Sequence, residues 1–324
     1  MNAPCNTLIS KVLVLDETGS GGEMLKAFCD ETGLAPIRPQ KHAVAGVMAI
    51  LNSNVDLGGI LLYEDFGGCG RGIALAREIH ASRPELPIFL RRRAVASMAG
   101  FDADTAAMFR CAYTMDDLSV LRGSIEASVF SRVYPTDLVR NIGSMTRESL
   151  RTLFRHCDVE VETPYLVKDK IIYGEVFTMI AIESAWCRGY MMLQAAEEQA
   201  LSLLDSAAAD GARRSFRELN NVLGEATNLI WGGFKNKYVS PVGAPPAGQT
   251  QVPIVINHQR RYISFGSEDP QLCFKYVLKD RERPDAPGVP IYQRFVFNLN
   301  WAPESFAENP TVESFVESGE LELF

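Results

Sequence analysis

The sequence predicts two domains of different fold class. In the N-terminal part, short runs of Leu, Val and Ile alternate with helix-like segments, which predicts an α/β domain with a doubly wound parallel sheet. In the C-terminal part, long amphipathic helices and strand-like alternation predict an α+β domain that ends in an antiparallel sheet. The length of 324 residues is also typical of two domains.

The N-terminal elements follow one another at the spacing of βα units. Apolar runs with few polar positions are typical of buried parallel strands, and acidic residues follow two of them. We predict strands over KVLVL, GGILLYED and LPIFLRRR, and helices over GEMLKAFCDETG, AVAGVMAILNS, GIALAREIHASRP and MDDLSVLRGSIEASVF.

Glycines follow the first strand, but their spacing excludes the common phosphate-binding loops. Gly19, Gly21 and Gly22 do not complete a GxGxxG pattern, because Met24 stands where the third glycine is needed. No GK[ST] sequence follows these glycines either. The sequence therefore predicts neither a dinucleotide fingerprint nor a P-loop.

The order of these elements resembles a response-regulator receiver domain, which has a flavodoxin-like fold. By this resemblance, Asp16 and Glu17 match the acid pair that binds Mg²⁺. Gly72 matches the glycine of the family's DG pair, which places Glu64 at the position of the phosphorylated aspartate. Arg92 stands at the family's Thr/Ser position after the fourth strand.

Residues 1–130 depart from an active receiver. A glutamate at the acceptor position is not phosphorylated in the usual way, and no lysine occurs between Lys41 and Lys168 to pair with a phosphoryl group. We therefore predict a pseudo-receiver with a degenerate acidic site, used for docking, dimerisation or a fixed regulatory state. Glu64 is a candidate mimic of a phosphorylated aspartate. In the alternative interpretation, these carboxylates are solvated acids at strand ends.

The C-terminal domain is predicted over residues 137–302, after a linker at 131–136 and before an acidic tail at 303–324. Helical spacing is found in LVRNIGSMTRESLRTLF, in EEQALSLL and from about residue 211 to residue 238. Strands are predicted over CDVEVETPYLV, IIYGEVFTMIAIES, CRGYMMLQAA, QVPIVIN, RYISF, QLCFKYVL and PIYQRFVFNLNW.

The last of these helices carries a polar strip. At about 100° per residue, Asn221, Glu225, Asn228 and Gly232 fall on one narrow face. Asparagine is uncommon inside helices, and glycines leave room for another backbone to approach. The opposite face is predicted to pack onto the sheet through Val222, Leu223, Ala226, Leu229 and Ile230.

This strip resembles the helix motif of the CheC/CheX/FliM chemotaxis phosphatases. That motif has an Asp or Ser, three residues, Glu, two residues, Asn and a later Pro. Asn221 stands at the Asp/Ser position, Glu225 and Asn228 match the Glu and Asn, and Pro253 arrives slightly late. The resemblance covers most of residues 137–302.

The resemblance implies a phosphatase that acts on a phosphorylated CheY-like response regulator. It implies that Asn228 orients the attacking water and that Glu225 pairs with the partner's lysine. The protein is expected to have no cofactor of its own, because the partner receiver supplies Mg²⁺. A homodimer is expected by resemblance only.

The residues leave three alternatives open. A second Glu-x-x-Asn, formed by Glu218 and Asn221, overlaps the first and is a second candidate for the working pair. The protein could also be a non-enzymatic two-component adaptor in which both domains are degenerate, or a component similar to the flagellar switch. No sequence feature singles out the last of these.

Composition narrows the classes of function further. A formal net charge of −8 argues against non-specific binding to nucleic acid. Seven dispersed cysteines without a CxxC pair indicate reduced thiols in a cytosol and predict no metal site. No apolar run reaches the length of a membrane span, so we expect a cytoplasmic protein without a membrane partner.

Overall fold

The chain divides into two compact units. Unit 1 comprises Met1–Val133, Thr163–Tyr173 and Ile254–Cys273, and unit 2 comprises Tyr134–Glu162, Gly174–Pro253 and Phe274–Phe324. The structure, a computed structural model, describes residues 8–16, 21–39, 44–54, 56–132, 134–184, 186–206, 213–239, 255–257, 262–264, 269–299 and 303.

The first part of the chain alternates strands and helices. The strands are β1 (Ser10–Leu15), β2 (Leu34–Ile37), β3 (Leu57–Tyr63), β4 (Ile88–Arg91) and β5 (Phe109–Tyr113). The helices are α1 (Gly21–Glu31), α2 (Val44–Ser53), α3 (Arg71–Ser82), α4 (Ala103–Ala107) and α5 (Ser119–Ser128).

The second part of the chain holds the longer helices and strands. The helices are α6 (Thr136–Leu153), α7 (Glu197–Ser206) and α8 (Phe216–Tyr238). The strands are β6 (Cys157–Val161), β7 (Tyr165–Val167), β8 (Val176–Glu183), β9 (Arg188–Ala195), β10 (Val255–Asn257), β11 (Tyr262–Ser264), β12 (Gln271–Asp280) and β13 (Val289–Leu299).

Unit 1 is a doubly wound α/β fold, as predicted. Its five parallel strands have the order β2-β1-β3-β4-β5. Successive residues of β1 enter different cores, since Leu13 and Leu15 pack with α2 and α3 while Val12 and Val14 pack with α1 and α5. The sheet is therefore covered by helices on both faces, and its strand sequences are apolar almost throughout.

Three elements of unit 1 were not predicted from the sequence: β2, α4 and β5. Both strands lie at the edges of the sheet. β2 contains Pro36, and β5 has an exposed Arg110, so neither has the continuous apolar run of a central strand. α4 has only five residues, which is too short for a helical period to show.

Gly72 fixes how α3 meets the sheet. Its amide donates to the carbonyl oxygen of Glu64 at 3.1 Å. A Cβ atom at this position would lie 2.2 Å from the carbonyl oxygen of Tyr63, so no other residue fits without moving backbone. Gly72 therefore brings the start of α3 close to the end of β3, next to Glu64.

Unit 1 also contains a segment from the C-terminal half of the sequence. The Ser10 hydroxyl donates to the carbonyl oxygen of Leu166 in β7 at 2.9 Å. Arg83 and Asp169 form a buried ion pair, and Arg83 Nη1 also donates to the carbonyl oxygens of Leu51 and Asn54. The stretch predicted as one strand from Cys157 thus forms two strands, and the second belongs to unit 1.

Unit 2 is an α+β fold with an antiparallel sheet, as predicted. The strand order is β6-β12-β13-β9-β8, and β12 begins with residues that pair with β7. A buried polar network crosses this core, where Gln293 Oε1 accepts from the hydroxyls of Thr146 and Tyr276. Because these polar atoms are paired, their burial is compatible with a stable core.

Candidate functional site

The polar strip lies on α8, and the ends of this helix are well defined. Ser215 and Glu218 form a capping box, in which each side chain binds the backbone amide of the other residue. Lys235 and Lys237 lie in the last turn, where positive charge is favourable to the helix dipole. The capping box therefore accounts for the start of α8 at Phe216.

The buried face of α8 fixes the rotation of this helix against the sheet of unit 2. Leu219, Leu223, Ala226, Ile230 and Phe234 are among its buried residues. Thr227 donates to the carbonyl oxygen of Leu223 at 2.8 Å, and its hydroxyl contacts the hydroxyl of Thr178 in β8. The ring of Phe234 packs against Trp186 and Phe295, with centroids 6.3 and 6.0 Å away.

The opposite face of α8 presents the strip to solvent. Asn221, Glu225 and Asn228 are exposed, and Gly232 is half-buried. Within the described residues, these three side chains have no hydrogen-bond or ion-pair partner. A Cβ atom at Gly224 or Gly232 would meet no described atom within 4 Å, so there is open space above these two glycines of α8.

Leu229 is a correction to the predicted core face. It was expected to pack onto the sheet, but its side chain is 42% exposed. Leu229 is exposed because it lies only about 40° from the exposed Glu225 around the helix, and Ile230, one residue later, takes the buried position. Val222 is half-buried, whereas Leu223 and Ala226 are buried as predicted.

The two candidate pairs differ in what their carboxylates bind. Glu218 accepts from the amide and hydroxyl of Ser215 at 2.7 and 3.0 Å, and from Arg214 Nη1 at 3.0 Å. The Ser215 amide, followed by the Ser215 hydroxyl and Arg214, holds the pKa of Glu218 below its usual range. The carboxylate of Glu218 is thus engaged in capping, whereas the carboxylate of Glu225 is exposed.

The acids that follow β1 and β3 of unit 1 are paired with arginines. Asp16 Oδ1 accepts from Arg91 Nη2 at 3.0 Å, and Asp16 Oδ2 lies 2.7 Å from Arg91 Nε at an angle unsuited to a hydrogen bond. Both side chains are buried, with exposures of 7% for Asp16 and 8% for Arg91. The guanidinium also lies over the ring of Tyr63, 3.7 Å from its centroid.

Two more arginines continue this pattern. Glu64 Oε2 lies 2.6 Å from Arg92 Nε, and Glu64 Oε1 accepts from the amide of Arg93 at 2.6 Å. The side chain of Arg93 contacts Asp65 at 3.1 Å. The Gly70 amide, the largest of several causes, holds the pKa of Asp65 below its usual range. The interpretation as simply solvated acids is therefore wrong for the described members of this cluster.

The sequence signal for these pairs is the run RRR at the end of the fourth strand. Three consecutive arginines after an apolar strand lie at the same sheet edge as the acids that follow β1 and β3. This signal was present in the sequence, but its role was missed. Glu17 and Pro253, two further predicted residues, lie outside the described residues.

Neither a metal cluster nor a membrane helix is found within these ranges. No group of three His, Cys, Asp or Glu residues in the described part of the chain could hold a metal ion. No described helix is long and apolar enough to cross a bilayer.

Comparison with known proteins gives structural matches only. No protein-family model and no curated protein matches the sequence. CheX, CheC-like and FliM chemotaxis proteins are among the solved structures that match. CheX from Vibrio vulnificus is 20% identical, with 50% of this chain and 99% of that chain covered and a TM-score of 0.34.

Two further matches are similar in extent. A chemotaxis protein from Desulfovibrio vulgaris Hildenborough is 16% identical, with 50% of this chain and 97% of that chain covered and a TM-score of 0.34. A response regulator from Thermotoga maritima is 17% identical, with 37% and 97% covered and a TM-score of 0.29. At these TM-scores, the matches assign no role to any residue of this chain.

Proposed function

We propose that this protein is a phosphatase for the phosphorylated aspartate of a CheY-like response regulator, in chemotaxis or a related two-component pathway. The observation that carries the proposal is the exposed strip of α8, in which Glu225 and Asn228 have no described partner. A packed helix holds their backbone in place, so little order has to be gained when a partner docks.

The amide of Asn228 suits the positioning of water. An asparagine side chain has no proton equilibrium near neutral pH, but its carbonyl accepts and its amide donates hydrogen bonds. Hydrolysis of an acyl phosphate needs mainly an in-line water and stabilisation of charge. The water oxygen bonds to phosphorus, the bond from phosphorus to the aspartyl oxygen breaks, and its electron pair leaves with the carboxylate. The protons of the water pass to the oxygens of the released phosphate and to solvent, because the Asn228 amide is not a base.

Glu225 completes the pair as a docking group. Its carboxylate is exposed on the same face, and it would pair with the lysine of a phosphorylated receiver. The partner supplies both the phosphoaspartate and the Mg²⁺ that neutralises its charge. Gly224 and Gly232 leave space for the partner's backbone beside the two side chains.

Release of phosphate from a panel of phosphorylated receivers of the same genome tests this function. Asn228→Ala is expected to abolish the stimulated release while the fold stays intact, because the exposed amide makes no described contact. Asn220→Ala is the matched control, since Asn220 is also exposed on α8 but lies outside the strip. Full turnover by Asn228→Ala would remove the assignment.

A non-enzymatic adaptor is the second candidate. The arginine pairs of Asp16, Glu64 and Asp65 favour it, because they leave unit 1 suited to docking and not to phosphoryl transfer. Equal decay of a phosphorylated receiver with and without this protein, despite measurable binding, would support the adaptor.

We also propose a cytoplasmic homodimer. β8 lies at the edge of the sheet of unit 2, and an edge strand eight residues long offers backbone groups to a second copy. Light scattering at micromolar concentration should then give twice the monomer mass, and a monomer would contradict the proposal.

A further inference from the structure

We propose that Leu229 is the apolar anchor of the docking surface, covered by a phosphorylated receiver that belongs to a separate chain. The inference rests on the proposed function, because it names a contact and a partner for the same strip. Leu229 would act through binding of the partner and would take no part in the chemical step.

Leu229 differs from the other leucines of α8. It is 42% exposed, whereas Leu219 and Leu223 are buried, with exposures of 0% and 1%. An exposed leucine adds little to the stability of the fold, but it gains free energy when a partner removes it from water. Its apolar surface is therefore available for docking.

The position of Leu229 places it beside both polar groups. It follows Asn228 directly and lies one helical turn after Glu225. Long side chains on a helix lean towards the preceding turn, so Leu229 covers surface next to Glu225. Gly232 lies about 60° from Leu229 around the helix, and the open space at this glycine leaves the Leu229 side chain projecting from the surface.

An apolar group at this place also suits docking. A receiver that docks on Asn228 and Glu225 would bury Leu229 at the edge of the contact, and the removal of this side chain from water would favour the complex.

The partner has to be a receiver on another chain. The receiver-like unit of this protein has Glu64 at the acceptor position, and that carboxylate is engaged by Arg92 and by the amide of Arg93. Asp16 is likewise paired with Arg91. Unit 1 therefore does not offer the phosphorylated aspartate that the strip is suited to receive.

Leu229→Asn tests the anchor in the full-length protein. The probe is a CheY-like receiver phosphorylated with acetyl phosphate, and phosphate release is measured over a range of receiver concentrations. The loss of uniform binding is expected to raise KM by about tenfold and to leave kcat within about twofold. Phe216→Asn is the matched control, because Phe216 is 46% exposed but lies on another side of the same helix.

The outcomes separate the anchor from the proposed function. An unchanged KM for Leu229→Asn, or equal effects of Leu229→Asn and Phe216→Asn, would overturn the role of Leu229 as an anchor. Loss of turnover in Asn228→Ala would still support the proposed function. If the unsubstituted protein shows no turnover, the proposed function fails. The role of Leu229 is then tested by binding to a beryllofluoride-treated receiver, and equal affinities of Leu229→Asn and Phe216→Asn would overturn it. Conversion of a dimer to a monomer by Leu229→Asn would assign the surface to a second copy and overturn it too.

Discussion

Glu64 Oε2 lies 2.6 Å from Arg92 Nε at the end of the third strand of unit 1. The other carboxylate oxygen accepts from the backbone amide of Arg93, so both oxygens are engaged. A negative group at this place is thus held by one cation and one amide of the next loop. The hypothesis that Glu64 imitates a phosphorylated aspartate requires such a bound negative charge at this position.

Glu64→Gln should test that hypothesis, because the amide keeps the shape but loses the charge. If the charge holds unit 1 in one state, the substitution will change either partner binding or the phosphatase rate. Both are measured with the same phosphorylated receiver. Unchanged values for both would end the hypothesis.

Arg91→Met should destabilise unit 1 strongly. Removing this guanidinium leaves Asp16 buried without the cation it faces, which typically costs about 3–5 kcal/mol. Arg93→Met is the control, because Arg93 is 75% exposed and solvent screens its pair with Asp65, so its loss of stability should be much smaller. Denaturant unfolding of both variants gives the comparison, and equal losses would contradict the buried pairing.

Glu225→Gln and Glu218→Gln should separate the two candidate pairs. Glu225→Gln is expected to weaken partner binding with little change in stability, because no described group contacts this carboxylate. Glu218→Gln should lower stability only slightly, because the amide keeps the bond to the Ser215 amide but loses the charge near the helix N-terminus and the pair with Arg214, and it should leave most of the phosphatase activity. The reverse result would move the site to Glu218 and Asn221.

Gly232→Ala should stabilise α8 and yet weaken the reaction. Alanine is favoured over glycine inside a helix by up to about 1 kcal/mol, and a Cβ atom here meets no described neighbour. If the partner's backbone comes close at Gly232, the added methyl group raises KM. Thermal unfolding together with steady-state kinetics checks both parts, and unchanged kinetics would show that Gly232 is not a contact.

Asp280 should make unit 2 sensitive to acid. Burial alone would raise the pKa of this carboxyl, but hydrogen bonds from Arg283, the Glu282 amide and Ser206 lower it from 3.8 to about 2. A depressed pKa stabilises the fold above the unfolded value, and this contribution is lost as the pH falls from about 4 to about 2.

The measurement compares unfolding free energies between about pH 5 and about pH 2 for the unsubstituted protein and Asp280→Asn. The variant should lose less stability over this interval. Asp158→Asn serves as the control, because Asp158 is 63% exposed and lies 3.9 Å from Arg281. Parallel pH curves for all three proteins would contradict the lowered pKa.

Both fold classes could be predicted from the residues alone, since apolar periodicity separates a parallel from an antiparallel sheet. The exposure of Glu225 and Asn228 also followed from helical spacing, because long helices keep a regular period. Edge strands such as β2 escaped prediction, because their polar or proline residues hide the apolar signal.

The pairing of the charges could not be predicted, because it depends on how the strands assemble. The acids that follow β1 and β3 are far in sequence from the arginines at the end of β4, and the order of the parallel strands places these carboxyl ends side by side. The exposure of Leu229 also depends on tertiary packing, because the rotation of α8 against β8 determines whether Leu229 or Ile230 faces the core. The sequence period predicts that a helix has an apolar and a polar face, whereas packing determines which residues lie at the boundary between the two faces.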